Sequence, residues 1–179
     1  DTCETENERY RVCAVGTPGI GKTTNTPFLI RMLLKKGRTV VYLVRTEDKV
    51  GWYYEFIPST DLSMTPTCNV YPESTKKMAI PSLHNRETYY IVDPGMTKDS
   101  CNPDTTFLPK VIIVASPDDR HWGESEFRKM RDGVGGFFLY YPLWSLQELL
   151  SARSSLMDRG LQLSEAEIRM HFHGVGGVP

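Results

Sequence analysis

The stretch that decides the fold is VGTPGIGKTTN, Val15 to Asn25. Within it, Gly16-Thr17-Pro18-Gly19-Ile20-Gly21-Lys22-Thr23 fits the pattern GxxxxGK[ST] at every defined position. The pattern has a physical content. Glycines let a backbone curl until successive N–H groups point inward, and a helix starting there adds its positive end. A plain strand-to-helix turn needs neither a lysine nor a threonine at those two places. Lys22 is therefore expected to reach the β- and γ-phosphates of a nucleotide, and Thr23 to offer its hydroxyl to Mg²⁺. Gly16 through Thr24, with Pro18, Ile20 and the other loop residues, form the expected cradle.

The surroundings suit that reading. YRVCAVG (Tyr10–Gly16) alternates and ends in glycine, as expected of a core strand. KTTNTPFLIRMLLKKG (Lys22–Gly37) follows as a helix, with basic residues and a glycine at its end. Pro27 lies inside it and predicts a kink or a late regular start. RTVVYLVRTE (Arg38–Glu47), ETYYIVDPG (Glu87–Gly95), KVIIVASP (Lys110–Pro117) and GFFLYYP (Gly136–Pro142) read as four further core strands. GWYYEFIP (Gly51–Pro58) and the region around NVYP (Asn69–Pro72) read as a less buried hairpin. SLQELLSARSSLMD and SEAEIRMHFHG read as helices opened by serine caps, and Ser164 with Glu167 has capping-box spacing.

Strands alternating with helices or long crossovers predict an α/β fold. Its expected form is that of a P-loop NTPase in three layers. It has a mostly parallel five-stranded core sheet, an inserted β-hairpin, and the start of a helical C-terminal lid. Residues 1–9 read as a flexible lead-in, 10–142 as the core and 143–179 as a truncated lid region.

A nucleotide site of this kind needs a carboxylate for the magnesium at the end of a neighbouring buried strand. YYIVD supplies Asp93. The residues after it are Pro94 and Gly95, where a water-activating glutamate often stands. Glu47 and Asp48, past the second core strand, are candidate replacements, because strand ends gather on this face. Ser116, at the end of VIIVAS, is the candidate γ-phosphate sensor. Arg120 and Arg128 are candidates to complete the charge cluster, within one chain or between copies in a homo-oligomer.

The bulk composition narrows the partners. The chain has 179 residues, 40% hydrophobic and 24% charged, with a formal net charge of −1. Such a balance offers no global field for nucleic acid or an anionic membrane. No apolar run reaches the length of a membrane span. Cys3, Cys13, Cys68 and Cys101 stand far apart without zinc spacing. They read as free thiols in a reducing, intracellular compartment. His171 and His173 in HFH read as a helix face rather than a ligand pair.

GTPGIGKT, YYIVDPG, VIIVASPD and HWGESEF, with YYPLWSLQELL and the closing VGGVP, resemble the P-loop NTPase domain of crinkler-type effectors and of the related retrotransposon hot spot proteins of trypanosomes. The resemblance covers roughly residues 10 to 179. LSEAEI…GVGGVP also resembles the lid region of STAND-type ATPases. The resemblance implies ATP or GTP binding with Mg²⁺, and an NTPase module coupled to a separate, often nuclease-like, effector domain that is not in this sequence. It also implies a secreted effector acting in the host cell nucleus, or a nuclear protein of the producing organism. Three other readings stay open at this point. One is a small-molecule kinase, and another is a switch with little or no hydrolysis. The third is a GTPase, disfavoured because TKDS (Thr97–Ser100) is not a base-reading NKxD.

Overall fold

The computed structural model describes residues 11–45, 51–59, 65–74, 79–93, 109–116, 137–157 and 163–177. Seven strands form one mixed sheet: β1 (Arg11–Val15), β2 (Val40–Arg45), β3 (Gly51–Ile57), β4 (Thr67–Pro72), β5 (Tyr89–Asp93), β6 (Lys110–Ala115) and β7 (Phe137–Tyr140). Three helices accompany them: α1 (Lys22–Lys35), α2 (Leu146–Met157) and α3 (Glu165–Val175). The strand order is β4-β3-β2-β5-β6-β1-β7.

The five strands β2, β5, β6, β1 and β7 are mutually parallel, and β3 and β4 join antiparallel at the β2 side. The expected hairpin is therefore continuous with the sheet, which has seven strands rather than five. Gly51 pairs with Arg45 at the start of the hairpin. An added Cβ on Gly51 would meet the Glu73 carboxylate, which the Arg45 guanidinium holds there by a forked hydrogen bond.

Alternation along the strands sorts the core into two faces. Val12, Val40, Ile91, Ile112 and Val114 pack with Ile30 and Leu33 of α1. Cys13, Val15, Val41, Leu43, Tyr53, Tyr90, Val92, Val111 and Ile113 line the other face, against Ile80 and Leu83. Ile80 and Leu83 belong to a short 3-10 turn and its approach, Pro81–His84 being the turn itself. Each fully buried Val or Ile contributes roughly 1.5–3 kcal/mol. Such β-branched residues also suit a strand covered on both sides.

The described residues show the sheet and one helical layer of the three layers expected. α1 lies on the sheet against β2 and β6, while a turn rather than a helix covers the second face where it is described. α2 and α3 pack on each other. Both open on reciprocal Ser–Glu caps. Glu148 Oε2 accepts from the Ser145 N–H at 2.7 Å, and Glu167 Oε2 accepts from the Ser164 N–H at 2.7 Å. β7 was expected in the core. It sits at the sheet edge, with Phe137 64% and Tyr140 75% exposed.

Pro27 neither delays nor interrupts α1, which begins at Lys22. Thr26, which is buried, turns its hydroxyl back to donate to the Lys22 carbonyl at 3.2 Å. Cys13 and Cys68 are free thiols, and burial pushes the Cys13 thiol up to about 12. Among the described residues no helix is long and apolar enough to cross a membrane.

Candidate functional site

Gly16 to Gly21 connects the C-terminal end of β1 to the first turn of α1. Two of its glycines are needed for different reasons. Gly21, the residue before the helix, has φ 91° and nothing near its missing Cβ, so its requirement is conformational. At Gly16 the requirement is space, because a Cβ would stand 2.8 Å from Tyr141 Cβ.

No side chain caps α1. The first helical bond runs from the Asn25 N–H to the Gly21 carbonyl at 2.9 Å. The N–H groups of Gly19, Gly21, Lys22 and Thr23 have no acceptor among the described residues. Helix starts ordinarily satisfy such donors by capping or by water, and a row of them is an anion-binding arrangement. The Thr17 hydroxyl is likewise buried without a hydrogen-bond partner among the described residues. Lys22 folds back over the loop, and its ammonium donates to the Gly16 carbonyl at 2.6 Å and the Thr17 carbonyl at 2.8 Å. Burial pulls its pKa below the ordinary lysine value, and the negative charge of Asp93 partly restores it.

Asp93 ends β5 and is 5% exposed. Alternation from Ile91 places it on the α1 face. β6 lies between β5 and β1, so Asp93 is two strand spacings, roughly 10 Å, from the strand that carries the loop. Ser116 follows β6 directly and is half-buried. Ala115 is level with Val15, and the Gly16 N–H points to the Ala115 carbonyl at 3.4 Å, so Ser116 lies beside the start of the loop. Thr23 and Thr24 are exposed on the first turn of α1, as are Pro18 and Gly19 in the loop, while Ile20 is buried beneath it. Loop, Lys22, Thr23, Asp93 and Ser116 thus gather at one end of the sheet. Glu47, Asp48, Pro94, Arg120 and Arg128 lie outside the described residues.

Two residues without a role in the sequence reading hold the loop. The Tyr141 N–H donates to the Val15 carbonyl at 2.8 Å. The Trp144 indole N–H donates to the Ile20 carbonyl at 3.2 Å, and its backbone N–H donates to the Gly177 carbonyl at 2.9 Å. Trp144 therefore bridges the loop to the segment after α3. WSLQELL and VGGVP carry no chemical signature that would announce this, because it depends on β7 lying next to β1.

The bridge predicts the behaviour of a glycine pair. A Cβ on Gly177 would stand 1.9 Å from the Trp144 carbonyl oxygen, a backbone atom that cannot rotate away. One on Gly174, in α3, would meet nothing. Gly177→Ala is expected to lower stability by about 2 kcal/mol or more and to change Trp144 emission. Gly174→Ala should be neutral or stabilising by about 0.5–1 kcal/mol. Urea unfolding of both variants checks this, and equal effects would discard the bridge.

Among the described residues no cluster of three His, Cys, Asp or Glu side chains could hold a metal alone. His171 and His173 are exposed on α3. Magnesium commonly takes one or two protein oxygens and completes its shell with phosphate and water. Thr23 and Asp93 suit that mode. Comparison of the chain with family models, with curated proteins and with solved structures finds no match.

Proposed function

We propose that the chain binds a purine nucleoside triphosphate with Mg²⁺, ATP before GTP, at the Gly16–Thr24 segment. The observation that carries this reading is that the N–H groups of Gly19, Gly21, Lys22 and Thr23 have no acceptor among the described residues, with the Lys22 ammonium lying over the same loop. These donors and the start of α1 would hold phosphate oxygens. Lys22 would exchange its two carbonyl acceptors for the β- and γ-phosphates, a stronger, charge-assisted pairing. Thr23 and Asp93 would hold the metal, and Ser116 would touch the terminal phosphate from β6. When bound, Mg²⁺ neutralises phosphate charge and polarises the phosphoryl group.

The reading commits to binding first and to slow hydrolysis second, since Pro94 follows Asp93 where a base would stand. Glu47 would orient the water. By the resemblance to crinkler and retrotransposon hot spot proteins, the nucleotide would regulate an attached effector domain. A chain carrying such a domain, equally active with and without Mg-ATP, would remove that regulatory part.

The test is calorimetric titration of the folded chain with ATP and GTP, with Mg²⁺ or with EDTA. Micromolar, Mg²⁺-strengthened ATP binding is expected, with phosphate released slowly and only to water. A folded sample that gives no heat with either nucleotide sinks the reading. Asp93→Asn should lower affinity in Mg²⁺ by about tenfold, to the level of the EDTA titration. If Asp93→Asn keeps the full Mg²⁺ dependence, Asp93 is not a metal ligand.

A further inference from the structure

We propose a second ligand site, for a small planar apolar anion, between α1 and the β2–β3 part of the sheet. A cavity of about 550 Å³ opens there, within the size range of small-molecule sites. Tyr42, Tyr54 and Phe56 line it side by side on the α1 face of β2 and β3. The Tyr42 and Tyr54 ring centres are 6.4 Å apart, and Tyr54 stacks with Phe56 at 6.4 Å and 16°. Tyr42 is tilted by 33° to Tyr54, so the three rings make a shallow aromatic floor, which suits a ring-bearing ligand. Ile30 and Leu34 of α1 form the facing wall.

The charge at the rim gives the ligand its sign. Arg31 and Lys35 stand one helical turn apart on α1, and both line the cavity. Among the described residues no carboxylate lines it. Among the described residues the ion pairs are Arg38–Glu87, Arg45–Glu73, Lys110–Glu87 and Arg169–Glu165, and neither Arg31 nor Lys35 takes part. Two like charges at this spacing repel, and an anion between them removes the repulsion. An aromatic carboxylate or sulfonate matches both halves, ring on the floor and acid group between the cations. The site faces the middle and end of α1, whereas the nucleotide loop is at its start, so it is independent of the nucleotide reading.

Anilinonaphthalene sulfonate is the probe, with uncharged phenylnaphthylamine as its comparison. The folded chain should bind one sulfonate probe, with fluorescence enhancement, and saturating Mg-ATP should leave it bound. The double variant Arg31→Gln/Lys35→Gln should weaken the sulfonate about tenfold or more and the uncharged probe less than about twofold. Tyr54→Thr should weaken both. Absence of one-to-one binding, displacement by Mg-ATP, or equal affinity in the double variant would each overturn the proposal. So would a dimer that loosens on the double substitution while the probe does not bind, since that face would then be a contact between copies.

Discussion

Lys22→Ala should abolish nucleotide binding while leaving the chain folded. The lysine would make two charge-assisted bonds to phosphate, each worth roughly 1.5–3 kcal/mol, so affinity should fall at least about 100-fold. Without nucleotide, the ammonium is partly desolvated and donates to the Gly16 and Thr17 carbonyls. Losing it therefore costs little, and the urea midpoint should move by less than about 1 kcal/mol in free energy. The lowered lysine pKa sharpens the test. The ammonium loses its proton earlier than an ordinary lysine as pH rises, and phosphate binding restores it. Binding at alkaline pH should then take up protons, read as a buffer-dependent enthalpy that Lys22→Ala removes. An unchanged affinity in Lys22→Ala would dismiss the loop as a phosphate site.

Glu55→Ala should give the largest loss of stability, about 3 kcal/mol. Glu55 is 3% exposed on β3, under the hairpin. Its Oε2 accepts from Asn69 Nδ2 at 2.9 Å and from the Tyr71 hydroxyl at 3.0 Å. Burial alone would push its carboxyl up. Hydrogen bonds from the Ser82 side chain, Asn69, Tyr71 and the Ser82 backbone outweigh this, and the net shift is downward from 4.5. The folded pKa lies below the unfolded one. The contribution is thus fully present above the unfolded value and is lost as pH falls through the folded value. The stability gap between wild type and Glu55→Ala should be constant near neutrality and narrow in acid, below the ordinary carboxylate value of 4.5. A gap that stays flat into strong acid would show that Glu55 is not held as a carboxylate.

The local parts of the site are legible because they are short-range. Glycine spacing, an apolar strand ending in Asp93, and the Ser164–Glu167 cap each follow from chemistry within a few residues. Strand neighbours do not. Nothing in VIIVA says that β6 inserts between β1 and β5, or in FFLY that it takes an exposed edge. GWYYEFI reads as a less buried hairpin, with Glu55 in the middle of its pattern. Yet Tyr53 and Glu55 are among the most buried residues, since Asn69, Tyr71 and Ser82 satisfy the carboxylate. Trp144 and Gly177 were invisible because their contact is made across the fold. The late helix start that Pro27 suggests does not occur, because α1 begins at Lys22 and holds Pro27 as its sixth residue.

β1 is paired on both sides with strands made much later than itself, β6 and β7. The bond that ties the loop to Trp144 joins residues 124 apart in the chain. At roughly 5–20 residues per second, a ribosome needs on the order of ten seconds to travel that distance. During that interval α1 and the hairpin can form from local contacts, but the Gly16–Gly21 loop has no flanking strand to stand on. Docking of the loop therefore waits for β7 and Trp144, and reports that the sheet has closed around β1.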